Sequence, residues 1–172
     1  MDDNLVTFDK LMQAIAMRES SMNPNAESLA GAVGLFGIMP GDAMGGMRGN
    51  VPTVWEAAEM QGLQPPDQTR ASAEALLRDP IVNRTIGEAY ARELLSKYRG
   101  DTEAVLTSYN AGPAKYDRLG SAAAMDRQEQ REYAQKVSED YQNFFGYPLP
   151  SNLGVLTAPR PPSRPRNLLE QQ

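Results

Sequence analysis

Apolar residues recur at the helical period along most of this chain, and that pattern limits the fold more than any other feature. Ile86, Tyr90 and Leu94 stand four apart in a stretch expected to be helical from about Val82 to Tyr98, with Gly100 ending it. Phe8, Leu11, Met12, Ile15 and Ala16 repeat the spacing near the N-terminus, where Thr7 is placed to cap and Asn23-Pro24 marks the exit. Asp101 is a natural cap for a third helix carrying Ala104, Val105, Ser108 and Tyr109, stopped by Gly112-Pro113. A fourth is expected from about Asp126 to Phe145, with Tyr133, Val137, Tyr141 and Phe144 facing inward. A weaker helix fits Thr53 to Gln61. The glycine-rich residues 31–49 break the period and predict a short hairpin or an irregular wall. The fold class expected is mainly α, with a small irregular or β element near residues 31–40.

At 172 residues the chain suits one compact domain and a tail. Prolines crowd in from Pro148, interleaved with arginines, so the expected division is a domain over 1–147 and an extended tail or linker over 148–172. Trimming that tail is expected to leave stability unchanged. A net charge of -5 argues against nucleic acid as the main partner. No apolar run approaches the roughly 20 residues that span a bilayer, and the N-terminus lacks the basic and apolar regions of a signal peptide. There is no cysteine and no histidine, so neither a metal site nor a cofactor is expected, and acid–base chemistry falls on carboxylates, lysine or tyrosine. The nine methionines read as core filler.

Glu19 lies four residues after Ile15 and seven after Met12, which puts it on the apolar stripe if the first helix continues that far. A carboxyl in apolar surroundings keeps its proton near neutral pH and can donate it to a leaving oxygen. A frayed helix end with Glu19 facing solvent fits the same spacing. The periodicity alone leaves both readings open.

The residues around Glu19 add a further argument. Glu19-Ser20 is followed by Asn23-Pro24-Asn25-Ala26, then by Gly31-Ala32-Val33-Gly34-Leu35 leading into Gly37-Ile38-Met39-Pro40. Farther on come Ser108-Tyr109-Asn110-Ala111-Gly112 and Glu129-Gln130-Arg131-Glu132-Tyr133-Ala134, with Asp79-Pro80, Asn83, Gly87 and Tyr90 between. In order and spacing these resemble the motifs of the lysozyme-like lytic transglycosylases of the soluble Slt type, glycoside hydrolase family 23, over about residues 8–145. The resemblance implies a lysozyme-like fold and cleavage of the MurNAc-β-1,4-GlcNAc bond of peptidoglycan, with 1,6-anhydroMurNAc formed. It implies that Glu19 is the single acid and base, with the substrate's acetamido group assisting, an exception to the two-carboxylate rule. Consistent with this, the sequence shows no second carboxylate placed to activate water. By the same resemblance Ser28, Met39, Tyr109, Asn110 and Tyr133 bind or orient the substrate or the acid, while Ser20, Gly31, Gly34 and Gly112 are structural near the site. Packing remains an alternative for the two tyrosines, and turn capping for Ser28.

One position departs from the motif. Gly37 stands where the family has glutamine, which predicts weaker glycan binding with the acid in place, and a lower KM for Gly37→Gln. A non-catalytic glycan-binding or structural module and a hydrolytic muramidase are the other functional classes. The partners expected are peptidoglycan glycan strands and, through the tail, other virion or ejection proteins. The setting expected by resemblance is a bacteriophage virion protein that opens the host wall during genome ejection, acting at the wall or periplasm. A bacterial periplasmic enzyme without its signal is the alternative.

Overall fold

A computed structural model describes residues 3–47, 49–65 and 67–154 of the protein, and these are mainly α-helical. The elements are α1 (Asp3–Ser20), α2 (Pro40–Gly45), α3 (Val54–Met60), α4 (Arg70–Leu77), α5 (Pro80–Lys97), α6 (Thr102–Ala111), α7 (Pro113–Leu119) and α8 (Gln128–Phe145), with a 3-10 turn at Ala122–Ala124. α8 packs on α1 and on α6, and α6 also lies against α5 and α7. The core between them holds Phe8, Leu11, Met12 and Ile15 of α1, Ile86, Leu94 and Leu95 of α5, Leu106 of α6, and Val137 and Tyr141 of α8. No helix among the described residues is long and apolar enough to cross a membrane.

Local chemistry accounts for most helix starts. Asp79 Oδ1 accepts from the Ile81 and Val82 amides at 2.8 and 3.0 Å, and Pro80 opens α5 with its φ already set. Asp101 Oδ1 accepts from the Ala104 amide at 2.9 Å at the head of α6. Thr53 and Glu56 form a reciprocal capping box on α3. Gly112, at φ +85, ends α6, and Pro113 starts α7 directly afterwards.

Several expectations are corrected. Thr7 does not cap the first helix, which begins four residues earlier and carries Thr7 inside it. The helices α2, α4 and α7 were not signalled, because six to eight residues are too few to establish a period. On α8, Phe144 is 48% exposed and its neighbour Phe145 packs on the core instead. Residues 148–154 do not form the extended segment expected of them. Leu153 is buried, its amide donates to Gly100 O at 2.9 Å, and Thr102 donates through Oγ1 to Pro150 O and through its amide to Ser151 O. Residues 148–154 therefore pack across the α5–α6 junction. The remainder of the expected tail, 155–172, lies outside the described residues.

The segment between α1 and α2 forms the wall expected of it. Val33 pairs antiparallel with Glu27 on one side and Ile38 on the other, through isolated bridges. Asn83 of α5, fully buried, clamps this wall: its Nδ2 donates to Val33 O at 2.9 Å and Leu77 O at 2.8 Å, and its Oδ1 accepts from the Phe36 amide at 2.9 Å. Gly34 makes the approach possible. At φ +81, a Cβ there would lie 2.2 Å from Asn83 Nδ2 and 2.4 Å from Leu77 O.

Candidate active site

Glu19 occupies the last turn of α1, which Ser20 closes by donating from Oγ to Ala16 O at 2.9 Å. The helix does continue that far, so the carboxylate leaves along the core face, one of the two readings that the spacing allowed. It lines a groove of about 330 Å³. One wall comprises Glu27, Ser28, Ala32, Gly34, Gly37 and Met39; the other comprises Tyr109 and Asn110 of α6 and Arg127, Glu129 and Gln130 at the head of α8.

Two contacts hold the carboxylate. Tyr133 Oη donates to Glu19 Oε1 at 2.5 Å. The other oxygen, Oε2, lies over Gly37, so close that a Cβ built on Gly37 would be 2.4 Å away. Burial drives the Glu19 pKa up from 4.5 to about 7; the Tyr133 hydrogen bond opposes the rise, the charge of Glu129 adds to it, and Arg18 opposes it. Arg18 is turned aside by Asp140, 2.6 Å away on α8, and this ion pair also ties the end of α1 to the helix that carries Tyr133. Tyr133 is itself buried, and burial together with the Glu19 charge pushes its pKa well above 10, so it remains a donor. The result is a carboxyl that exchanges its proton near neutrality, the property a group needs to serve as acid and then base.

The other expected residues divide into two groups. Ser28, Met39, Tyr109, Asn110 and Gly34 line the groove with Glu19. Ser20, Gly31 and Gly112 stand off it. Ser28 Oγ accepts from the Ala32 amide at 3.0 Å, which makes it a turn-former as well as a wall residue. Tyr109 Oη donates to Phe36 O at 3.2 Å, and its ring lies 5.2 Å from that of Tyr90, so Tyr109 braces the glycine-rich wall against α5 and α6.

The structure adds a constraint at Gly37 and two acidic neighbours to the site. Gly37 cannot accept a glutamine harmlessly: its φ of +59 disfavours any L side chain, and the added Cβ would displace the Glu19 carboxylate. Two further carboxylates, Glu27 and Glu129, also line the groove. Glu27 is held 2.8 Å from Arg78, whereas Glu129 sits exposed in the first turn of α8. A signal for Glu129 was present, because it lies four residues before Tyr133 and so on the same helix face. Asn83 was signalled only as a residue of the motif resemblance; its clamp, whose acceptors lie on two separate segments, had no signal of its own.

With this geometry in view, the comparisons decide the family. The family model described as the transglycosylase SLT domain matches residues 7–132. The chain belongs to this family. It is 33% identical over 111 residues to the soluble lytic murein transglycosylase of Escherichia coli K12, covering 64% of this chain and 15% of that protein. Among solved structures, it is similar to the 70 kDa soluble lytic transglycosylase of Escherichia coli, with a TM-score of 0.57 and 26% identity over 87% of this chain and 23% of that one. It also shares its fold with an inactive mutant of the lytic transglycosylase Slt from Pseudomonas aeruginosa, with a TM-score of 0.59 and 24% identity over 83% and 23% of the two chains. The SLT domain described here thus spans under a quarter of the length of these relatives.

Proposed function

We propose that this SLT domain is a peptidoglycan lytic transglycosylase in which Glu19 carries both proton transfers. The observation that supports this most directly is the groove-lining Glu19 carboxyl with its pKa near 7, oriented by Tyr133. In the first step Glu19 gives its proton to the glycosidic oxygen and the bond from MurNAc C1 to that oxygen breaks, releasing GlcNAc with a free hydroxyl. The acetamido oxygen of the same MurNAc supports the electron-poor C1. In the second step the MurNAc 6-hydroxyl attacks C1, its proton passes to Glu19, and the 1,6-anhydro ring closes. Glu19 is protonated again and no water is consumed. Tyr133 holds Oε1 throughout, while Ser28, Met39, Tyr109 and Asn110 form the surface against which the sugars lie.

Hydrolysis by a muramidase mechanism is a second reading, favoured by Glu129, which places a second carboxylate on the groove. Mass spectrometry of muropeptides released from purified peptidoglycan separates the two, because hydrolysis adds one water. Products ending in 1,6-anhydroMurNAc support the proposal; reducing ends alone overturn it in favour of the muramidase. A zymogram without clearing overturns both, in favour of a glycan-binding module.

The setting we propose is a bacteriophage virion protein acting locally on the host wall during genome ejection. The support is resemblance, since lytic transglycosylase domains of this type occur in such proteins. Detection of the protein in purified virions supports this setting, and its confinement to a bacterial periplasmic fraction overturns it.

A further inference from the structure

The groove contains a cation that the proton-transfer scheme does not use. Arg127 lies just before the first residue of α8, with an extended backbone (φ -94, ψ 135) and no side-chain capping bond, and it lines the same groove as Glu19. Its basic neighbours are engaged. Arg18 pairs with Asp140, Arg78 pairs with Glu27, and Lys115 is held by Asp126 and Gln130. Asp126, adjacent in sequence, does not neutralise Arg127: its carboxylate is taken by Lys115 and by backbone amides, that of Arg127 among them. Among the described residues, no carboxylate lies within ion-pair distance of the Arg127 guanidinium.

We infer that Arg127 is a binding subsite for a carboxylate carried by the substrate strand, and that it biases the groove toward anionic glycans over neutral ones. The inference rests on the reading of the groove as a peptidoglycan site. The chain carries a net charge of -5, and Glu129 adds negative charge to the groove wall, so an anionic ligand is disfavoured everywhere except beside an unpaired cation. A guanidinium offers a planar fork of donors that matches a carboxylate with two parallel hydrogen bonds, which a neutral sugar hydroxyl cannot reproduce. Peptidoglycan supplies the carboxylate from two places. Where the stem peptide has been removed, the lactyl group of MurNAc carries it. Where the stem is present, the lactyl group is an amide and the peptide carries it.

The test measures binding to the full chain carrying Glu19→Gln, so that ligands stay intact, with and without Arg127→Ala. The probes are chitotetraose, a stem-free MurNAc–GlcNAc tetrasaccharide, and the same tetrasaccharide bearing stem peptides. Arg127→Ala should weaken one or both carboxylate-bearing probes roughly fivefold, the most an exposed ion pair sustains. It should leave chitotetraose unchanged and flatten the salt dependence of the affected probe. Arg127→Lys should keep part of the preference. Loss on the stem-free probe assigns the lactyl carboxylate, and loss on the stem-bearing probe assigns the peptide. Equal weakening of all three probes, or unchanged binding of both carboxylate-bearing ones, overturns the subsite while leaving the groove reading intact. Failure of the Arg127 parent to bind any of the three overturns the groove reading and the subsite with it.

Discussion

Replacing Glu19 with glutamine should abolish cleavage, and the structure adds a consequence for stability that depends on pH. Folding raises the Glu19 pKa from 4.5 to about 7. Below pH 4.5 the carboxyl is neutral in both the folded and unfolded chain, and burying it carries no electrostatic penalty. Between 4.5 and 7 the unfolded chain ionises while the folded one keeps its proton, so stability falls as pH rises. Above 7 both forms are ionised and the penalty levels off at about 3 kcal/mol. Glutamine is nearly isosteric, never ionises, and can still accept the hydrogen bond from Tyr133. Glu19→Gln should therefore match the parent protein near pH 4 and exceed it at pH 8 by up to about 3 kcal/mol, on the order of 10 °C in Tm for a chain of this size. Parallel thermal melts at pH 4, 6 and 8, with a peptidoglycan turbidity assay at each pH, measure both effects. A stability difference between the two proteins that is the same at pH 4 and pH 8 would refute the reasoning, because a solvent-facing Glu19 has no such penalty to relieve. Residual activity within a few-fold of the parent would place the acid elsewhere.

Three further perturbations test single contacts, two at the site and one at the C-terminal strap. Gly37→Gln should lower kcat by at least about tenfold and destabilise the fold by about 1–3 kcal/mol, since its Cβ collides with Glu19 Oε2 at a φ that disfavours side chains; a stable variant with a lower KM and unchanged kcat would show that the groove accommodates glutamine. Tyr133→Phe removes the hydrogen bond that holds the Glu19 pKa down, so the alkaline limb of the pH–rate profile should move upward, and a downward move would mean that Tyr133 acts otherwise. Ending the chain at Tyr147 should cost about 2–4 kcal/mol relative to ending it at Gly154, through exposure of the Leu153 pocket and loss of the hydrogen bonds to Thr102 and Gly100; equal melting temperatures for the two truncations would show that the 148–154 strap contributes nothing.

Residues 3–154 show which features a linear pattern can carry. The long helices α1, α5 and α8 were legible because each buries one face, and burial of a face imposes a period that needs no knowledge of the partner; α6, buried nearly all round from Ala104 to Ser108, was marked instead by its Asp101 cap and its Gly112-Pro113 stop. Glu19 was only half legible: its spacing allowed a core-facing and a solvent-facing reading, and the resemblance of the neighbouring motif favoured the first. Periodicity gives the direction of a side chain but not what it meets. Tyr133 reaches Glu19 across 114 residues, and that contact exists only because α1 and α8 pack side by side. The short helices α2, α4 and α7 have weak local signals and persist through what they are packed against. Gly37 shows the difference at a single position. In the sequence it is a glutamine missing from a motif, a loss of hydrogen-bonding groups. In the folded protein it is the space that the carboxylate of Glu19 occupies, because the glycine-rich wall, drawn in by Asn83, passes directly over the end of α1. Composition and spacing determined that this chain would be mainly helical, with an acid at position 19 that could face either the core or solvent. The packing of the wall against that acid was decided by hydrogen bonds between distant segments, which no local pattern records.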